Sequence, residues 1–109
     1  MNSETQIFEL ALEVLSDHQA EAVHGFKSDR LLGYTDYVIL ATGRSKRHQL
    51  TLADKLTQEI KRIFQLLVVQ EGDDSASWLI LDCNYVVIHL QTQEARDYYN
   101  LEGLWFPPE

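Results

Sequence analysis

Tyr37-Val38-Ile39-Leu40-Ala41-Thr42-Gly43-Arg44-Ser45-Lys46-Arg47-His48 is the stretch that decides the fold. Its first five residues are apolar and include β-branched side chains, the pattern of a strand buried on both faces. Thr42-Gly43 closes the strand, and a long helix is expected from about Ser45 to Gln65. The apolar set of that helix is Leu52, Ala53, Leu56, Ile60, Ile63 and Phe64, one stripe at helical spacing. Leu66-Leu67-Val68-Val69 then reads as the next strand. A strand, a long helix and a strand predict a right-handed parallel crossover.

Toward the N-terminus, Ile7, Leu10, Ala11, Val14 and Leu15 form another helical stripe. Ser3 is placed to cap that helix, with Gln6 three residues on, as in a capping box. Ala22 to Phe26 is a weak strand, weakened further by Gly25. Toward the C-terminus, Glu71-Gly72-Asp73-Asp74-Ser75 reads as a loop. Trp78 to Leu81 and Tyr85 to Leu90 read as strands joined by a tight turn, Asp82-Cys83-Asn84, in which Asn84 suits a positive φ. Thr92 to Tyr99 is a short helix capped by Thr92, packed down by Leu101, Leu104, Trp105 and Phe106. The order α-β-β-α-β-β-β-α predicts an α/β or α+β domain: a mixed β-sheet of about five strands flanked by helices, in one domain over residues 1–109.

Composition narrows the function. The 109 residues carry 17 Asp and Glu against 9 Lys and Arg, a net charge of −8. That balance argues against wrapping nucleic acid or reading its sequence, which needs clustered cations. One cysteine, Cys83, permits neither an internal disulfide nor a cysteine zinc site. The longest wholly apolar run, Tyr37 to Ala41, is far short of the ~20 residues of a membrane span. Met1-Asn2-Ser3-Glu4-Thr5 lacks the basic and apolar regions of a secretory signal, so a cytoplasmic protein is expected.

No catalytic constellation emerges. There is no G-x-S-x-G elbow, and His18, His24, His48 and His89 show no metal-ligand spacing. A two-metal nucleotidyl-transfer site needs two Asp alternating on one strand, and the only paired acids, Asp73-Asp74, are adjacent in a loop. Neither a cofactor nor a metal is expected. His89, among apolar neighbours, reads as a hydrogen-bonded structural imidazole, and Cys83 as a small buried hydrophobe.

Two features admit either an internal role, with basic and acidic segments pairing within the fold, or a partner. Residues 1–43 hold seven acids and two bases, residues 44–69 two acids and six bases, and residues 70–109 eight acids and one base. Within the basic middle, Arg44, Lys46 and Arg47 cluster at a helix N-terminus, where the macrodipole favours anions instead. Either acids of the same chain pair with them, or the anion comes from a partner or a second protomer. The second feature is Trp78-Leu79-Ile80-Leu81-Asp82. On a strand Trp78, Ile80 and Asp82 share one face and Leu79 and Leu81 the other, so both faces are buried or one is kept for a partner.

Read together, Thr35-Asp36-Tyr37, Ala41-Thr42-Gly43-x-Ser45-x-Arg47-His48, Glu71-Gly72, Trp78-x-x-x-Asp82, Val86-Val87-x-His89 and Glu94-x-Arg96-x-Tyr98-Tyr99-x-Leu101-Glu102-x-Leu104-Trp105 resemble the ribosomal silencing factor, or Iojap-like, family. The resemblance runs from about Thr35 to Trp105. It implies a nucleotidyltransferase-like fold without its acidic pair, hence no enzyme. It also implies a translational repressor that binds the large ribosomal subunit through ribosomal protein number fourteen and sterically blocks the small subunit. Free members are often homodimers. In the family the Trp at position 78 and the strand after it face the partner, which makes Trp78, Ile80 and Asp82 the expected contact residues. Two stretches depart from the pattern: Val23 to Arg30, and Asn84-Tyr85 where the family carries Gly-Asp. The alternatives are a nucleotide-binding or nucleotidyl-transferring enzyme and a dimeric scaffold with another partner.

Overall fold

The computed structural model describes residues 3–28, 36–72 and 75–106. Its elements are α1 (Ser3–Asp17), β1 (Glu21–Lys27), β2 (Tyr37–Thr42), α2 (Lys46–Phe64), β3 (Val69–Gly72), β4 (Trp78–Asp82), β5 (Val86–Gln91), α3 (Gln93–Tyr99) and α4 (Leu101–Trp105). The strands form one sheet in the order β1-β2-β5-β4-β3. Only β2 and β5 are parallel neighbours; the other three pairings are antiparallel. The fold is therefore α+β with a five-stranded mixed sheet, as the sequence predicts.

One face of the sheet carries most of the core. Ile39 and Ala41 of β2, Leu79 and Leu81 of β4, and Val86, Ile88 and Leu90 of β5 pack under Ala11 and Leu15 of α1 and Leu52, Leu56 and Ile60 of α2. Fully burying each such side chain contributes roughly 1.5–3 kcal/mol. The opposite face is covered at one end only, where Val38 and Leu40 meet Trp105 of α4, with Phe26 and Leu101 alongside. That asymmetry leaves Trp78 and Ile80, on the β4 side of the second face, partly exposed.

Several expectations need correction. The segment Leu66–Val69 is not the third strand: pairing starts at Val69 and runs to Gly72. Gln65 turns left-handed and caps α2, after which Val68 is buried while Leu67 stays 72% exposed. Apolar alternation there pins the end of α2 to the core and does not mark a ladder. Glu71 and Gly72, expected in a loop, lie in β3, and Asp73 and Asp74 fall outside the described residues. The crossover through α2 joins strands of the same direction, but β5 and β4 lie between them. The residues after α3 form a helix of their own, α4, capped by the Asn100 side chain, whose carbonyl oxygen accepts from the Gly103 N–H. The capping role expected of Ser3 rests on a side chain outside those described.

Two glycine and asparagine positions have a local reason. A Cβ on Gly25 would lie 2.8 Å from the Phe8 ring, so β1 keeps a glycine where α1 crosses it. Asn84, at φ 72°, supplies the left-handed residue of the β4–β5 turn, and its N–H donates to the Asp82 carboxylate at 2.9 Å.

Candidate docking site

Two parallel neighbours, β2 and β5, end at the same edge of the sheet, and each runs straight into a helix. Ser45 caps α2 by accepting the His48 N–H, and Thr92 caps α3 by accepting the Ala95 N–H. A crevice outside the carboxyl ends of such strands is where α/β folds place ligands. Here it is a groove of about 640 Å³ with Arg44, Ser45 and Lys46 on one wall. Trp78, Tyr98 and Tyr99 bring aromatic rings to it, and Thr92 and Glu94 also line it.

Gln49, fully buried on α2, lies outside that lining but holds the strand ends that frame it. Its side-chain oxygen accepts the Gly43 N–H at 2.8 Å, and its NH₂ donates to the Leu90 carbonyl at 2.6 Å. One amide thus ties together the ends of both parallel strands. Gly43 is needed for that approach, because a Cβ there would come 2.6 Å from the Gln49 oxygen. Gln49 is legible in the sequence as a lone polar residue on the apolar stripe that continues through Leu52, Ala53 and Leu56. Gln49→Leu should cost about 1–3 kcal/mol in urea unfolding, since it orphans the Gly43 N–H and the Leu90 carbonyl.

The sequence-predicted site residues divide. Trp78 is half-buried: its indole N–H donates to Nδ1 of His89 at 3.1 Å, and its ring lies 4.6 Å from that of Tyr99. Ile80, also half-buried, follows on the same face, while Leu79 and Leu81 go into the core. The strand therefore buries one face and leaves the other partly open. Asp82 is exposed and anchors the Asn84 turn. Arg44 and Lys46 reach the groove beside Trp78, which brings the two predicted sets together; Arg47 is exposed outside its lining. Among the described residues, none of the three cations forms an ion pair. The pairing expected from the chain's own acids is not found there.

Neither Cys83 nor His89 is suited to proton transfer near neutrality. Burial pushes the Cys83 thiol up to about 12 and the His89 imidazole down to about 4. Since Nδ1 of His89 accepts from Trp78, the neutral ring carries its proton on Nε2. Among the described residues no group of three or more His, Cys, Asp and Glu could hold a metal, and no helix is long and apolar enough to cross a membrane.

The shifts fix a pH dependence. His89 is neutral when folded and takes up a proton in the unfolded chain, so its contribution is complete above pH 6.5 and is lost as pH falls toward about 4. Glu102, held below its usual range by its hydrogen bonds to Arg96, adds a loss of the same sign in acid. Urea midpoints should therefore fall between pH 6.5 and pH 4, and His89→Phe should flatten the upper part of that slope.

The groove thus combines aromatic rings, helix caps and, in Arg44 and Lys46, two cations without an ion pair among the described residues, on a small α+β domain. The chain belongs to the ribosomal silencing factor family: the family described as "Ribosomal silencing factor during starvation" matches residues 1–109. A ribosomal silencing factor RsfS of Chromobacterium violaceum is 32% identical over 100 residues, covering 92% of this chain and 82% of that protein. A mouse protein named "Mitochondrial assembly of ribosomal large subunit protein 1" is 37% identical over 75 residues, 66% of this chain and 33% of its own length. A crystal structure of a Chromobacterium violaceum protein superposes with a TM-score of 0.89 at 30% identity, covering 100% of this chain and 90% of that one.

Proposed function

We propose that this chain represses translation by docking on the large ribosomal subunit and excluding the small one, with ribosomal protein number fourteen as its seat. The observation that carries the reading is the half-buried Trp78, held between Tyr99 and His89 on the partly exposed face of β4. An aromatic anchor with a polar surround is the usual centre of a binding hot spot. Ile80 extends the apolar contact, and Asp82 and Glu71, exposed at its margin, offer acids to a basic ribosomal protein. Arg44 and Lys46 take an anion from outside the chain, on the docked surface or on a second copy. Family membership and the relative named for large-subunit assembly support the ribosome as the partner.

Order of addition tests it. Mixed with separated subunits, the protein should suppress the rise in light scattering on association. Added to preformed couples it should act only as fast as they dissociate. Inhibition of translation with association untouched would overturn the mechanism.

A further inference from the structure

We propose that His89 is the positioning residue of this docking site, its Nδ1 accepting the Trp78 indole N–H so that the ring is held ready for the partner. This rests on the reading of Trp78 as the anchor.

His89 occupies a place that a hydrophobe would fill more stably. It is 7% exposed in the central strand β5, paired with Leu40 on one side and Ile80 on the other, with the Trp105 ring 5.4 Å away. Its Nε2 is buried and has no hydrogen-bond partner among the described residues. A buried donor left unmade is a cost that folded proteins generally avoid. The one hydrogen bond its side chain makes in return among the described residues is the 3.1 Å bond to Trp78, whereas the ring contact to Trp105 is one a phenyl ring would also make.

That bond matters for a half-exposed indole. Tyr99 touches the ring by a tilted contact at 4.6 Å, which carries no directional bond and so does not by itself fix χ2, a broad torsion in Trp. An acceptor at Nε1 removes that freedom. Fixing a contact side chain before binding lowers the ordering cost of association, by an amount that corresponds to roughly threefold to tenfold in affinity.

The test combines affinity with a spectroscopic signature. In ¹H–¹⁵N spectra the indole signal of Trp78, assigned with Trp78→Phe, should move upfield and exchange faster in His89→Phe. His89→Gln, whose amide oxygen can accept, should restore it. His89→Phe should bind large subunits roughly threefold to tenfold more weakly at an unchanged or higher urea midpoint at pH 7. His89→Gln should recover most of that, and His89→Phe should add nothing in a Trp78→Ala background. Should His89→Phe fail to fold, the smaller His89→Leu is read in the same way. A weakened Trp78→Ala beside a His89→Phe that binds normally would overturn this proposal alone. A Trp78→Ala that binds normally would remove the docking reading and this proposal with it.

Discussion

Trp78→Ala should weaken binding to isolated large subunits by ~2 kcal/mol or more, roughly 30-fold, while folding stability falls by under ~1.5 kcal/mol. The separation follows from where the ring sits. A Trp fully enclosed in a core costs ~3–5 kcal/mol when truncated. Trp78 is only half-buried, lies outside both buried clusters, and touches Tyr99 and His89 on the partly exposed face of β4. Removing it takes away one hydrogen bond and the ring contacts to Tyr99 and His89, at a position already partly open to solvent. Urea unfolding and subunit affinity measured on the same variant separate the two roles. A strongly destabilised protein would make Trp78 a core residue, and a stable one that binds normally would take it out of the site.

The division of labour along β4 is legible in the sequence, because period two alone puts Trp78, Ile80 and Asp82 on one face and Leu79 and Leu81 on the other. Sequence does not say which face is open. That depends on α1 and α2 both choosing the Leu79 side, while α4 packs on the other face toward β1 and β2, its Trp105 reaching His89 of β5. The strand order is hidden for a related reason. A run such as Leu66–Val69 carries the same apolar signal whether it pairs in a sheet or seals a helix end. The cation cluster is visible in composition, but its place beside Trp78 requires β2 and β5 to be parallel neighbours, a contact between segments more than forty residues apart. Gln49 shows in the sequence only as a polar residue on an apolar stripe; what it and Arg96 bind is hidden, because those partners include backbone groups and a hydroxyl brought together only by folding.

Arg96→Ala should destabilise the protein by about 3 kcal/mol, with a loss of binding beyond what partial unfolding explains. The guanidinium is 8% exposed and holds several acceptors at once. It grips both oxygens of Glu102 at 3.1 Å, and one nitrogen donates to the Ala22 carbonyl at 2.7 Å and the Thr42 hydroxyl at 2.9 Å. Ala22 sits at φ 47° beside the bulge of β1, so Arg96 satisfies a carbonyl turned out of the ladder. It also fastens α3 and α4 to the sheet. Truncation would orphan the Ala22 carbonyl, the Thr42 hydroxyl and the Glu102 carboxylate together, and Glu102 would keep only His24 at 3.3 Å. The Glu102 side chain is 39% exposed, so water recovers part of its loss, which holds the estimate to the low end of buried-pair deletions. Arg96→Lys should recover little, because an ammonium cannot reproduce a fork that meets two carboxylate oxygens and two further acceptors. Because α3 carries Tyr98 and Tyr99, loosening it also frees the wall against which Trp78 rests. At pH 7 and a temperature where Arg96→Ala remains folded, its affinity for the large subunit should still fall, with a broadened Trp78 indole signal. An Arg96→Ala protein that keeps full stability would show that the guanidinium network contributes nothing net to the fold.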